Sequence, residues 1–194
     1  MVPIFEQGKG QGIGHSFDTF LRRFLDICEE HLKNDRAKAF AFILYDFSDN
    51  ATKQVLRNQG GFTKLDRLSG QELSIFFLHS ENKRQLKGFN EIFLHAFDIS
   101  QDSNLPFVLF FKIIDREVKD IEIVELEEAN IIFAFEELYR VIDVYVKKLK
   151  GYKNNEKTSN KFIHIFESVK RISAEKFIEY LVTKIGDYTG QHLL

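Results

Sequence analysis

The chain has 194 residues, of which 44% are hydrophobic and 29% charged, and its formal net charge is −2. This composition is typical of a globular domain with a substantial core, and the near-neutral charge argues against binding of nucleic acid or anionic lipid through overall charge. A single cysteine excludes an internal disulfide, a CxxC redox pair and a cysteine-rich zinc site. With no signal peptide and no apolar run of bilayer length, we expect a cytoplasmic protein that does not enter a membrane.

The first half of the chain is predicted to alternate strands and helices. A short strand, VPIF, precedes a glycine stretch, and apolar residues spaced by three and four then predict a helix over 16–34 with Cys28 on its buried face. The apolar run at 37–47 predicts a strand covered on both faces. A helix opens at Ser48 to Asn50, and the strand ELSIFFLHS and the helix ENKRQLKGFNEIFLHAF follow.

The second half begins with a strand over 105–113 that opens at Pro106. After a turn, the alternating segment 120–127 predicts a half-exposed edge strand whose carboxylates discourage further pairing. A strong helix over 131–150 and a linker, GYKNNEKTSN, come next. The tail over 160–188 is predicted to form two helical pieces broken near Ser173.

The glycine stretch EQGKGQGIGH does not match a nucleotide-binding motif. In the dinucleotide fingerprint the third glycine position falls on Ile13 or His15, and the Walker pattern fails because Lys9 is followed by Gly10. We therefore interpret Gly8 to Gly14 as a hinge, while weak anion binding beside a helix start remains open.

The order of the predicted elements resembles the thioredoxin fold over about residues 2–149. Pro106 opens a strand where that family carries its cis-proline, and Tyr45-Asp46-Phe47 closes a strand as in thioredoxins. The resemblance implies an α/β domain over 1–149 with a mixed five-stranded sheet flanked by helices. Residues 150–194 are then a helical C-terminal extension, which packs either on its own domain or, as we favour, on a second chain.

The redox motif of that family is missing. Thr52 and Val55 stand where the two cysteines belong, and neither can form the thiolate that attacks a disulfide. We therefore expect no thiol–disulfide oxidoreductase activity, no catalytic residue and no cofactor. The six histidines have no ligand-type spacing, so we expect no metal site.

These features favour a protein-binding or accessory role, with another protein or a second copy as partner. By resemblance, the partner would lie on the cis-proline face and/or the C-terminal helices, and the residues predicted for that face are Ser48, Asp49, Asn50, Thr52, Leu105 and Pro106. The alternative is a small-ligand or non-thiol enzyme site in the same crevice, made by Asp49, Asn50, Thr52 and His79. The lysines between 147 and 157 lack an aromatic stacking platform in the sequence, so we do not expect nucleic acid as a partner.

Overall fold

The protein has an α/β fold in the computed structural model. The structure describes residues 4–7, 13–15, 26, 39–57, 63–65, 67–68, 72–78, 82–100, 105–127, 130–152, 163–164, 172–177, 179–181 and 183–184. The strands are β1 (Ile4–Gln7), β2 (Ile13–His15), β3 (Ala39–Leu44), β4 (Leu73–Leu78), β5 (Phe107–Ile114), β6 (Glu117–Glu125), β7 (Ile163–His164) and β8 (Ile172–Ser173). The helices with assigned bounds are α1 (Asn50–Arg57), α2 (Lys83–Ala96) and α3 (Ile131–Leu149), and further helical residues lie at 63–65, 67–68, 174–177, 179–181 and 183–184.

The described strands form one mixed sheet in the order β2-β1-β4-β3-β5-β6-β7, with β8 also paired to β6. Its four long strands are β4, β3, β5 and β6, of which β3 and β4 run parallel and the other neighbours antiparallel. The predicted mixed sheet is confirmed. The structure describes eight strands, whereas five were predicted. The prediction missed β2, β7 and β8 because they are two- or three-residue segments whose sequence carries no strand periodicity.

We interpreted Gly8 to Gly14 as a hinge, but the C-terminal end of this stretch belongs to a strand. Residues Ile13–His15 form β2, and Gly14 pairs with Phe5 of β1 in an antiparallel register. The stretch therefore joins two paired strands instead of leading directly into a helix. Gly8, Gly10, Gly12, His79 and the helix predicted over 16–34, apart from Asp26, lie outside the described residues.

One face of the sheet is filled by stacked phenylalanine rings. Phe42 of β3 lies 5.4 Å from Phe76, 4.1 Å from Phe93 and 6.0 Å from Phe111, measured between ring centroids. Because side chains alternate along a strand, these rings share the face that α2 covers. Stacked and tilted aromatic pairs add to the stabilisation that comes from the large apolar area each ring buries.

The opposite face packs against α1 and α3. Phe110, the neighbour of Phe111 on β5, points the other way and stacks on Tyr145 of α3 with centroids 4.0 Å apart. Helix α1 packs against α3 on this side. The result is a three-layer arrangement in which α2 lies on one face of the sheet and α1 with α3 on the other.

Two backbone features shape the β5–β6 hairpin. Asp115 and Arg116 connect the strands with φ values of 53° and 61°, which is the two-residue turn whose twist matches paired strands. A bulge follows where the register shifts between Phe110 and Lys112, with Asp120 at φ 53°. Lys112 donates to the Asp120 carboxylate at 2.6 Å, which holds the bulged residue in place.

The described part of the tail packs on its own chain. Phe177 is 1% exposed, and its ring lies 5.0 Å from Phe97 of α2 and 5.6 Å from Phe111 of β5. The helical prediction is correct at residues 174–177, 179–181 and 183–184 and wrong at β7, while β8 lies at the predicted break near Ser173; both short strands pair with β6. Hydrogen bonding to β6 outweighs local helix propensity at β7.

The predicted exposed edge strand is in fact partly covered. Strand β6 pairs with β5 on one side and with the short strands β7 and β8 on the other. Glu122, which we expected to face solvent, is 3% exposed and accepts a hydrogen bond from the Lys148 ammonium of α3. Burial of this carboxylate is possible because its partner lies on the helix that crosses β6.

Candidate functional site

Three chain segments meet at one end of the sheet. The register pairs Leu44, the last residue of β3, with Phe107, the first residue of β5, and pairs Phe107 with Glu125 at the end of β6. Helix α1 begins shortly after β3 and α3 shortly after β6, so both helices start at this end. We call this surface the cis-proline face and define it by Ser48–Asn50, Leu105–Pro106 and the first turn of α3, Ile131–Phe133.

The Leu105–Pro106 peptide bond is cis, as predicted. Both residues are half-buried, and the Pro106 carbonyl accepts a hydrogen bond from the Leu126 N–H at 2.9 Å. This bond fixes the start of β5 against the chain that leaves β6 toward α3. Pro106 is therefore tied by a backbone hydrogen bond to the segment that follows β6.

Local hydrogen bonds shape the connection between β3 and α1. The Asp46 carboxylate accepts from the backbone N–H and the hydroxyl of Ser48, each at 2.9 Å. The N–H donation is the main cause that holds the pKa of Asp46 below its usual value, so this exposed carboxylate is ionised at neutral pH. Asp49 accepts from the Thr52 N–H at 3.0 Å and thereby caps α1, which explains the helix start predicted at Ser48 to Asn50.

The predicted site residues do not all reach the surface. Ser48 and Asn50 are exposed, and Asp49 is half-buried. Thr52 is 3% exposed, because its position on α1 faces the interior, so its hydroxyl does not contribute to an open site. The structure thus brings Ser48–Asn50 to the same sheet end as the cis-proline but removes Thr52 from both predicted sites.

A buried lysine anchors the loop after β3. Lys53 is 9% exposed, and its ammonium donates to the Phe47 carbonyl at 2.8 Å and lies 3.8 Å from the centre of the Phe47 ring. A carbonyl acceptor and an aromatic face together compensate much of the loss of hydration. Phe47 is therefore held half-buried at the edge of the face, a contact that the sequence pattern did not indicate.

A cleft of about 250 Å³ opens beside Leu105. It lies between the end of β3 and one side of α2, and its lining includes Asp46, Phe47, Lys83, Asn90 and Leu105. Asn90 is 5% exposed and donates its amide to the Tyr45 carbonyl at 3.0 Å, whereas its side-chain oxygen has no hydrogen-bond partner among the residues that the structure describes. A buried acceptor without a donor favours a site that receives one from a bound group.

The first turn of α3 exposes apolar side chains. Ile132 is 64% exposed and Phe133 55%, although neighbouring Ala134 is buried in the core. Around the same sheet end, Asp46, Glu125 and Glu127 are exposed carboxylates. The face therefore combines apolar anchors with an acidic rim, an arrangement suited to contacts with another chain.

The described side chains of the cis-proline face and its cleft supply apolar area, carboxylates, a hydroxyl, amides and the ammonium groups of Lys83 and Lys87. Across the described ranges, no three His, Cys, Asp or Glu side chains are grouped so as to hold a metal ion.

A second concave surface was missed from the sequence. Lys64 and Arg67 lie beside Phe135, Tyr139 and Tyr152, which are about 70 or more positions away along the chain. The sequence signal was the run of lysines near 150, but the aromatic residues that join it come from other turns of α3 and from the residues after it. We call this surface the α3 groove and define it by residues 64, 67–68, 135–136, 139, 143, 146–147, 150 and 152.

Comparisons with known proteins leave the chain without an assigned relative. No protein-family model matches it, and neither does any curated protein or solved structure. Within the residues that the structure describes, no helix has both the length and the apolar character needed to cross a bilayer. The cis-proline face and the α3 groove are therefore the two surfaces whose geometry indicates a function.

Proposed function

We propose that this protein is a redox-inactive thioredoxin-like module that binds a segment of a partner protein at the cis-proline face. The observation that carries the proposal is the apolar first turn of α3, where Ile132 and Phe133 are more than half exposed at the sheet end that also holds Leu105 and Pro106. Exposed large apolar residues grouped together on a surface are typical of docking sites.

The strand arrangement supports the thioredoxin-like part of the proposal. The two central long strands, β3 and β5, are those that the family resemblance expects to be most completely buried, and β3 is buried along its whole length. The cis-proline lies at the start of the strand where the family carries it. The position of the family's first cysteine is taken by buried Thr52, which supports a binding role in place of thiol chemistry.

The face indicates the chemistry of the partner segment. Its apolar side chains call for aliphatic or aromatic anchors, and the exposed carboxylates Asp46, Glu125 and Glu127 favour a neighbouring Lys or Arg. The unpaired Asn90 oxygen in the cleft beside Leu105 can accept a backbone N–H from an extended chain. The proposed partner segment is therefore extended, apolar and flanked by positive charge.

A display selection with the full-length protein tests this proposal. A peptide library is selected on the immobilised protein, and the affinity of an enriched peptide is measured by fluorescence anisotropy. The double variant Ile132→Asp, Phe133→Asp should bind at least about tenfold more weakly, because central apolar anchors carry most of the binding energy.

The matched control is Ile114→Asp. Ile114 is 40% exposed and lies at the opposite end of the sheet, beside the β5–β6 turn, so this change should leave affinity within about twofold. Equal binding by the double variant and the wild type would refute the proposed face. Selection of peptides without apolar residues or positive charge would refute the proposed partner chemistry.

A further inference from the structure

The α3 groove forms a concave surface of about 910 Å³ along one side of α3. Phe135, Tyr139, Asp143 and Lys150 repeat at intervals of four or seven residues, so they lie on one face of the helix. Residues 64 and 67–68 form the facing wall. At about 1.5 Å per residue, the wall from Phe135 to the helix end is about 20 Å long, enough for about six residues of extended chain.

The far end of the groove is fixed by the way α3 stops. Gly151 adopts φ 79°, and the Tyr152 N–H returns to the Lys147 carbonyl at 3.0 Å while the Gly151 N–H bonds the Lys148 carbonyl. This motif turns the chain back beside the last helical turn. Tyr152 is thereby held at the groove although its side chain is 66% exposed.

The groove carries more cationic groups than carboxylates. Its cations are Lys64, Arg67, Lys147 and Lys150, and its carboxylates are Glu136 and Asp143. Asp143 is already paired with Lys147 at 2.7 Å. Among the described residues, Lys64, Arg67 and Lys150 form no ion pair, so three exposed positive charges remain for a ligand.

Aromatic and aliphatic side chains lie between these charges. The rings of Phe135 and Tyr139 are 6.1 Å apart, and the Lys64 ammonium is 5.5 Å from the centre of the Phe135 ring. Tyr139 is 37% exposed, and Leu68 on the opposite wall is half-buried. A ligand in the groove would therefore meet apolar surface flanked by positive charge.

From this arrangement we infer that the α3 groove is a second binding site, which takes an acidic segment of a partner protein with apolar or aromatic side chains. Charge complementarity selects carboxylates for Lys64, Arg67 and Lys150, while the ring surfaces select apolar anchors. A short peptide fits better than nucleic acid, because its carboxylates can be spaced away from Glu136 and Asp143, whereas a nucleic acid carries a phosphate at every nucleotide. The groove adjoins the first turn of α3, but its lining residues differ from those of the cis-proline face and it prefers the opposite charge.

The test uses a display library of peptides of about 12 residues built from Asp, Glu, Leu, Phe and Gly, selected on the full-length protein. An enriched peptide is then labelled with fluorescein, and its affinity is measured by anisotropy. The groove variant Lys64→Glu, Arg67→Glu should weaken binding at least about tenfold, and so should replacement of the peptide's acidic residues by Gln or Asn.

The control variant is Lys176→Glu, Lys184→Glu, which changes the net charge by the same amount at exposed tail positions. It should stay within about twofold of the wild type. The uncharged variant Ile132→Ser, Phe133→Ser should also keep its affinity for the acidic peptide, which distinguishes the groove from the cis-proline face without adding charge beside it. Far-UV circular dichroism of each variant verifies that the fold is retained.

Several results would overturn the inference. They are an absence of enriched acidic peptides, an equal loss in the groove and tail variants, and tighter binding of a single-stranded oligothymidylate of about 12 nucleotides than of the peptide. The last result would identify nucleic acid as the occupant. Loss of acidic-peptide binding in the Ile132→Ser, Phe133→Ser variant would assign that peptide to the cis-proline face instead.

Discussion

The contact between the tail and the core gives the sharpest test of the fold. Phe177 is 1% exposed and touches the rings of Phe97 and Phe111. A buried Phe side chain removes about 150–250 Å² from water, which corresponds to roughly 4–6 kcal/mol at about 25 cal/mol per Å². Part of that area stays buried with Ala, so we expect Phe177→Ala to lower the free energy of unfolding by about 4 kcal/mol.

Urea unfolding followed by far-UV circular dichroism measures this change, since the chain contains no Trp for fluorescence. With a slope of about 2 kcal/mol per M, the midpoint should fall by about 2 M. Phe177→Leu is a milder variant that keeps the measurement possible if the Ala variant does not fold. The control is Lys176→Ala, an exposed neighbour whose replacement should change stability by less than about 0.5 kcal/mol.

A loss below about 1 kcal/mol for Phe177→Ala would refute the packing of the tail on its own chain. A midpoint that rises with protein concentration would instead indicate that stability depends on association. Since Phe177 is buried against α2 and β5 of the same chain, we expect the midpoint to be independent of concentration.

Three further changes follow from single backbone or charge features. Asp98 follows α2 at φ 55°, and the Ile99 N–H is bonded to the Leu94 carbonyl. Because glycine adopts this backbone conformation at lower cost, Asp98→Gly should raise the free energy of unfolding in urea by about 0.5–1 kcal/mol. Asp98→Ala should give no increase. Arg116→Gly should raise the midpoint of thermal unfolding, because glycine adopts the positive φ of 61° in the β5–β6 turn without strain, and Arg116→Ala should give no increase. Loss of the exposed Arg116–Glu175 ion pair in both variants should have little effect on stability. Lys148→Met should cost about 2–4 kcal/mol in urea unfolding because it leaves the buried Glu122 carboxylate without its cation, and Glu122→Gln in the same chain should recover part of the loss. If Glu122→Gln recovers none of the stability lost by Lys148→Met, the assigned Lys148–Glu122 pair is contradicted.

The hydrophobic pattern of the sequence determined most of the secondary structure. Leu86, Phe89 and Phe93 predicted the buried stripe of α2, and the apolar run around Phe42 predicted a strand covered on both faces. These predictions succeed because burial of a helix stripe or a strand face is a local property of residue spacing. The cis bond at Pro106 was expected from the resemblance, and the capped start of α1 from the polar residues that open it.

Only the tertiary structure decided which distant residues meet. Pairing with β6 placed Ile163–His164, predicted as helix, in the strand β7, and Lys148 on α3 made a buried position possible for Glu122. The α3 groove likewise joins Lys64 to residues more than 70 positions later, so the lysine run near 150 gains an aromatic surface that its own sequence lacks. The physical reason is that burial, charge compensation and concave shape depend on contacts between elements, which local spacing does not encode.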